Sequence, residues 1–126
     1  MEQQQHPTLG NGKICYLEIP CIDINEAADF YKTVFGWFIR NDDYGNISFD
    51  DGVGQVSGMW VTGRKPATEP GIMISIMVND LTLTSALITA NAGKMLQVGV
   101  HGMDNIALFS DPAGNIFSLY EHKYIN

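Results

Sequence analysis

"IPCIDINEAADFYKTVFG", residues 19–36, decides the fold, because the chain carries the pattern twice. "IMVNDLTLTSALITANAG", residues 76–93, aligns with it at one constant spacing: Ile19 falls on Ile76, Asp23 on Asp80, Phe30 on Leu87 and Gly36 on Gly93. Each copy reads as an extended run, a short acidic turn, a helix and a glycine stop. In the first helix Ala27, Phe30, Tyr31 and Val34 stand at i, i+3, i+4 and i+7 and make one apolar face. Asn25 can cap its start, and Gly36 suits the left-handed residue past its end. The second helix is weaker: Leu83, Ala86, Leu87 and Ala90 form the expected stripe, Thr82 or Thr84 the cap, and Gly93 the stop.

Three short extended segments follow each helix: "WFIRND", "NISFD" and "GQVSGMWV" in the first copy, "KMLQVGV", "NIALFS" and "NIFSLYE" in the second. Turn residues separate them, among them Asp42-Asp43, Asp51-Gly52, His101-Gly102 and Pro112. In "SDPAGN", residues 110–115, Asp111-Pro112 starts a turn and Gly114-Asn115 supplies residues that tolerate positive φ. The class is therefore α+β, with two tandem βαβββ modules. A polar tail over residues 1–11, expected to be disordered, precedes a single domain over 12–126. Within it, module one covers about 12–63, the linker "RKPATEPG" 64–71, and module two 72–126.

The 126 residues suffice for one domain, which at this size buries roughly two thirds of its unfolded surface. A net charge of −7 repels phosphate backbones and argues against nucleic acid as a partner. There is no apolar run long enough to span a membrane, and the start lacks the apolar segment of a secretion signal. Cys15 and Cys21, on one strand, would stand roughly 20 Å apart, too far for a disulfide. Free thiols suit a reducing cytoplasm.

Strand parity divides the faces. In "IMISIMV", residues 72–78, Ile72, Ile74, Ile76 and Val78 should pack on a helix, leaving Met73, Ser75 and Met77 opposite. Cys15, Leu17 and Ile19 likewise leave Tyr16 and Glu18, and Phe117 and Leu119 leave Ile116, Ser118 and Tyr120. A second face that mixes apolar and polar side chains is what a ligand pocket requires.

"IDINEAADFYKTVFGW" and "SDPAGNIFSLYE" resemble the vicinal oxygen chelate superfamily, which includes glyoxalase I, bleomycin-resistance proteins, extradiol dioxygenases and fosfomycin-resistance enzymes. The resemblance implies a curled mixed sheet around a cavity (the glyoxalase/bleomycin resistance/dioxygenase fold) and a divalent metal held by the first and last strand of each module. The positions carried over are Tyr16, Met73, Ser118 and, in module one's last strand, Gly58 or Ser57. None is the imidazole or carboxylate that a hard cation takes. The sequence thus resembles the metal-free, glyoxalase-like branch, with no cofactor and no catalytic residue assigned.

The expected ligand site is Tyr16, Glu18, Met73, Ser75, Met77, Ser118 and Tyr120, taking a flat or aliphatic molecule with a cationic or hydroxyl group. Each residue has a plainer reading. Glu18, a base or amine anchor if buried, is otherwise a solvated carboxylate or a partner for a residue such as Arg40. Tyr16 and Tyr120 can be core aromatics, and Met73 and Met77 gap fillers. Ser75 and Ser118 have no histidine nearby in sequence to activate them. His122 falls at a strand end or cavity rim, and Trp37 and Trp60 serve packing. The reading is a cytoplasmic small-molecule-binding protein, with a homodimer implied only by resemblance. A glyoxalase-I-like lyase or other metal-dependent enzyme, and an interaction protein with a filled cavity, are the alternatives.

Overall fold

In the computed structural model, which describes residues 7–123, the chain divides after Arg64 into two compact units. The first contains β1 (Tyr16–Pro20), α1 (Ile24–Phe35), β2 (Phe38–Asn41), β3 (Ile47–Asp50) and β4 (Ser57–Val61). The second contains β5 (Ser75–Val78), α2 (Leu81–Ala90), β6 (Lys94–Val100), β7 (Met103–Ser110) and β8 (Ile116–Glu121). The strands form two four-stranded sheets, ordered β1-β4-β3-β2 and β5-β8-β7-β6. In each, the helix carries the chain from one edge strand to the other. An antiparallel meander then walks back until the last strand lies parallel to the first. Among the described residues no helix is long and apolar enough to cross a membrane.

The repeat extends to register. Ile19 stands opposite Trp60 and Ile76 opposite Leu119, so Glu18–Met59 in the first sheet corresponds to Ser75–Ser118 in the second. The counterpart of Ser118 is therefore Met59, and neither Gly58 nor Ser57. Gly58 lies on the helix side, where a Cβ would collide with the Leu17 carbonyl oxygen and the Phe49 ring.

Both helices are capped by the aspartates that the repeat aligns, rather than by Asn25, Thr82 or Thr84. Asp23 Oδ1 accepts from Glu26 N at 2.9 Å, and Asp80 Oδ1 from Leu83 N at 2.9 Å. A carboxylate one residue outside the helix reaches these otherwise unpaired donors. Ala27, Phe30, Tyr31 and Val34 are buried as expected. In α2 the buried stripe is Leu81, Thr84 and Ile88, while Leu83, Ala86 and Ala90 face outward. That helix is apolar on more than one side, so hydrophobicity alone misplaces its inner face. Thr84 tolerates burial because its hydroxyl donates to the Asp80 carbonyl at 2.8 Å.

The fifth strand is shorter than expected. It begins at Ser75, and Ile72, 82% exposed, is not a core residue. Ile116 N donates to the Ala67 carbonyl at 2.9 Å, so the preceding loop takes the start of β8 that an earlier β5 would need.

An aspartate clamp holds that start. Asp111 Oδ1 accepts from the N–H groups of Ala113, Gly114 and Asn115, while Asn115 Nδ2 donates to Oδ2 at 2.9 Å. Asn115 Oδ1 in turn accepts from Ala67 N at 2.8 Å. Unit one repeats the device. Asp51 Oδ1 accepts from Gln55 N at 2.8 Å, and Gln55 Oε1 from Thr8 N at 2.9 Å. The tail expected over residues 1–11 lies for its first six residues outside the described residues.

The first unit buries a chain of rings. Tyr31 stacks on Trp37 at 4.6 Å between centroids, Trp37 on Phe49 at 4.6 Å, and Phe49 lies 4.7 Å from Trp60. The second unit is more aliphatic, with Ile88, Ala107 and Leu119 packed beside the stacked pair Phe109–Phe117.

α1 ends on Gly36 at φ 71°, as the sequence predicts. α2 does not use Gly93 this way. The left-handed residue there is Ala92, at φ 72°. An L-residue with a Cβ pays roughly 1 kcal/mol for that conformation. Ala92→Gly is expected to raise unfolding stability by about 0.5–1 kcal/mol, read as a higher urea midpoint at unchanged slope.

Candidate functional site

The face of each sheet turned away from its helix carries the candidate residues. In unit one Tyr16, 48% exposed, shares a cross-strand row with Ser57, Asp50 and Phe38. Glu18 shares the next row with Met59, Ser48 and Arg40. Glu18 is half exposed and pairs with Arg64 at 2.9 Å, so it lacks the burial that a base or amine anchor would need. Arg40 is committed elsewhere.

That commitment is the part the sequence reading missed. Asp50 is 3% exposed, and its Oδ1 accepts from the Ser57 hydroxyl at 2.6 Å and from Arg40 Nη2 at 3.0 Å. A buried carboxylate needs such partners, because an uncompensated charge in the interior costs several kcal/mol. The cue lay in "SFDD": Ser48 and Asp50 share parity on a strand whose inward residue is Phe49.

Beside this group lies a cavity of about 530 Å³, lined by Tyr16, Arg40, Asn41, Asp42, Ser48 and Met59 among others. Asp42 accepts from the Asn46 amide at 2.9 Å and from the N–H groups of Asn46 and Tyr44 at 2.8 and 2.9 Å. The Asn46 side chain is the largest cause, with the Asn46 and Tyr44 N–H groups adding to it, of a carboxyl held below its ordinary value against slight desolvation. Its stabilisation of the hairpin is present above the ordinary carboxylate pKa and is lost as pH falls through the lowered value.

In unit two Ser75 and Ser118 are directly opposite and hydrogen-bonded through their hydroxyls. Ser118 is 4% exposed, whereas Ser75 is open. Met77 stands opposite Tyr120, and Met73 lies before the strand, both methionines exposed. His122 is exposed past the end of β8, its ring 6.2 Å from that of Tyr120. A further cavity of about 500 Å³, touching Leu81, Val98, Asp104 and Glu121, opens at the start of α2. There Glu121 Oε2 accepts from Leu81 N at 2.8 Å. Trp37 and Trp60 are core residues; Cys15 is exposed and Cys21 buried.

Two parallel-paired βαβββ units, each clamped at its last turn, define a class of protein, and the comparisons agree on which. The family model Glyoxalase/Bleomycin resistance protein/Dioxygenase superfamily matches residues 13–119, and the chain belongs to this superfamily. It is 28% identical over 127 residues to a glyoxylase-like domain-containing protein of Didymella fabae, covering 86% of this chain and 93% of that one. Among solved structures, a superfamily member from Sphaerobacter thermophilus is similar with a TM-score of 0.69 at 22% identity, covering 88% of this chain and 98% of that chain. A genomically encoded fosfomycin resistance protein from Listeria monocytogenes is similar at 0.65 and 12% identity, covering 90% and 93%.

The superfamily includes metal-dependent members, and the positions carried over for ligands hold Tyr16, Met59, Met73 and Ser118. A phenol, two thioethers and a hydroxyl do not fit a hard divalent cation. Among the described residues no group of three or more His, Cys, Asp or Glu side chains is placed to hold a metal.

The two ion pairs should differ sharply in weight. Asp50→Ala, which strips Ser57 and Arg40 of their acceptor, is expected to cost about 2–3 kcal/mol in urea unfolding. Glu18→Gln, at the exposed pair, is expected to change stability by less than about 1 kcal/mol.

Proposed function

We propose that this superfamily member binds a small organic molecule on the open faces of its sheets, uses no metal to do so and catalyses no reaction. The observation that carries the reading is the contrast between faces of the same strands. Ile19, Trp60, Val78 and Leu119 are packed on the helix side, while Tyr16 and Met77 stay open on the other, with Met73 open just before β5. Aromatic rings and flexible thioethers cover an apolar ligand, and the Ser75 hydroxyl adds a polar contact. Ser118 serves by holding Ser75 in place. A cytoplasmic location and a homodimer, the latter taken from family likeness, belong to the same proposal.

The rival reading, a glyoxalase-I-like lyase, needs imidazole and carboxylate where Tyr16, Met73 and Ser118 stand. Protein purified without chelator is expected to carry well under one equivalent of zinc, nickel, iron or manganese. It is also expected to form no lactoylglutathione from methylglyoxal and glutathione with nickel or zinc added. A stoichiometric metal lost on replacing Tyr16 or Ser118, or turnover above a heat-killed control, would favour the lyase.

Ligand binding itself is tested by thermal shift against a library of small organic compounds. A compound at 100 times its dissociation constant stabilises the fold by about 2.7 kcal/mol, a rise of about 5–10 °C for a chain of this size. Ser75→Trp, at an open position, is expected to reduce shifts from compounds seated on unit two without lowering the unliganded melting temperature by more than a few degrees. A library that shifts nothing would support a filled, inert interior instead.

A further inference from the structure

We infer that the cavity of unit one is an anion-recognising site, in which Arg40, held from beneath by Asp50, takes the carboxylate of a small organic acid whose body lies on Met59 and Tyr16. The inference rests on the proposed binding function and names its ligand class, reversing the cationic preference that Glu18 suggests in the sequence.

The comparison between modules carries it. Asp50 and Ser110 each immediately precede the clamp aspartate of their module, Asp51 and Asp111, and both are buried in the third strand. They are equivalent places in one repeated frame. Module two fills the place with an uncharged serine opposite Ile116, so the fold does not need a carboxylate there. Module one nevertheless buries a carboxylate, at a desolvation cost, and its Oδ1 engages both Ser57 and Arg40.

The geometry says what that charge does. Arg40 stays 45% exposed at its side chain and lines the cavity, with Nη2 engaged by Asp50. A guanidinium carries five donors in a rigid plane, so a contact at Nη2 restricts where the others can point. The ion pair to a buried carboxylate therefore works as an orienting strut, and the outward N–H groups offer a paired fork of the kind that matches a carboxylate. The other charged group on the cavity, Asp42, has its oxygens turned to Asn46 and Tyr44 within the hairpin. Glu18 is held by Arg64. Tyr16 and Ser48 add hydroxyl donors, and Met59 supplies an apolar floor.

The test uses the full chain and a matched panel: benzoate, 4-hydroxybenzoate, phenylacetate and hexanoate against benzamide, phenylacetamide and benzylamine. Backbone amide NMR titration of the wild type reads affinity and location together. Carboxylates are expected to bind at least tenfold more tightly than the amides of the same shape, shifting the signals of Arg40, Ser48 and Met59. Met59→Trp, which fills the floor while leaving the Asp50 strut alone, is expected to weaken them at least tenfold, and Arg40→Gln to abolish the preference over amides. Because Arg40→Gln can unfold the unit, the wild-type map and Met59→Trp decide the matter by themselves. Amides or benzylamine binding as tightly as the acids, or acid-induced shifts confined to other surfaces, overturn the inference. If compounds from the thermal-shift library bind while these acids do not, the inference falls and the binding function stands; if nothing binds, both fall.

Discussion

The last strand of each unit depends on one aspartate at the turn before it. Asp111 gathers three backbone N–H groups on a single oxygen, and through Asn115 it ties the turn to Ala67. Because Ala67 also accepts from Ile116, the start of β8 is fixed before β8 meets β5. A parallel pair has no tight turn to set its register, so some other contact must do so. A slip of one residue would turn Leu119 and Phe117 out of the core and Ser118 into it. Asp51 does the equivalent work for β4, where a slip would expel Trp60.

Given that register, the helix side is closed to variation in kind but open in detail. Unit one fills its interior with Tyr31, Trp37, Phe49 and Trp60, and makes room for the Phe49 ring with Gly58. Unit two puts Phe117 at the place of Gly58 and Leu119 at that of Trp60, and stacks Phe117 on Phe109. Volume moves between neighbouring strands while the layer stays filled, as a close-packed interior requires. The aromatic core also explains the buried Trp60 Nε1, the sole buried side-chain donor without a hydrogen-bond partner among the described residues. The indole lies 5.7 Å from the Tyr31 ring and 4.7 Å from the Phe49 ring, between centroids.

The sequence made the element order, both modules and the inward residues of the first and last strands legible, because strand alternation and the turn residues agreed. Where it misled, the repeat already held the answer. Asp23 and Asp80 align, and both are caps, yet Asn25 and Thr82 looked better when each helix was judged alone. Carrying Ala27 and Tyr31 across the repeat lands on Thr84 and Ile88, the buried residues, whereas local hydrophobicity favoured Leu83 and Ala86. The candidate site was less legible for a different reason. Which carboxylate meets which guanidinium depends on strands that join only in three dimensions: the sequence offers Arg40 as one possible partner for Glu18, whereas Arg40 reaches Asp50 and Glu18 reaches Arg64.

The same alternation that made the fold readable separates fold from function. Side chains on the two faces of a strand alternate, so the residues that pack against the helix and the residues that face away are different sets under different constraints. The clamps, the caps and the helix-side residues hold the fold together. None of them touches the open face. Tyr16, Met59 and Ser118 stand on faces turned away from the helix, and Asp50 carries a carboxylate where Ser110 carries a hydroxyl. A fold match therefore constrains one face of these sheets and leaves the chemistry of the other to be argued residue by residue.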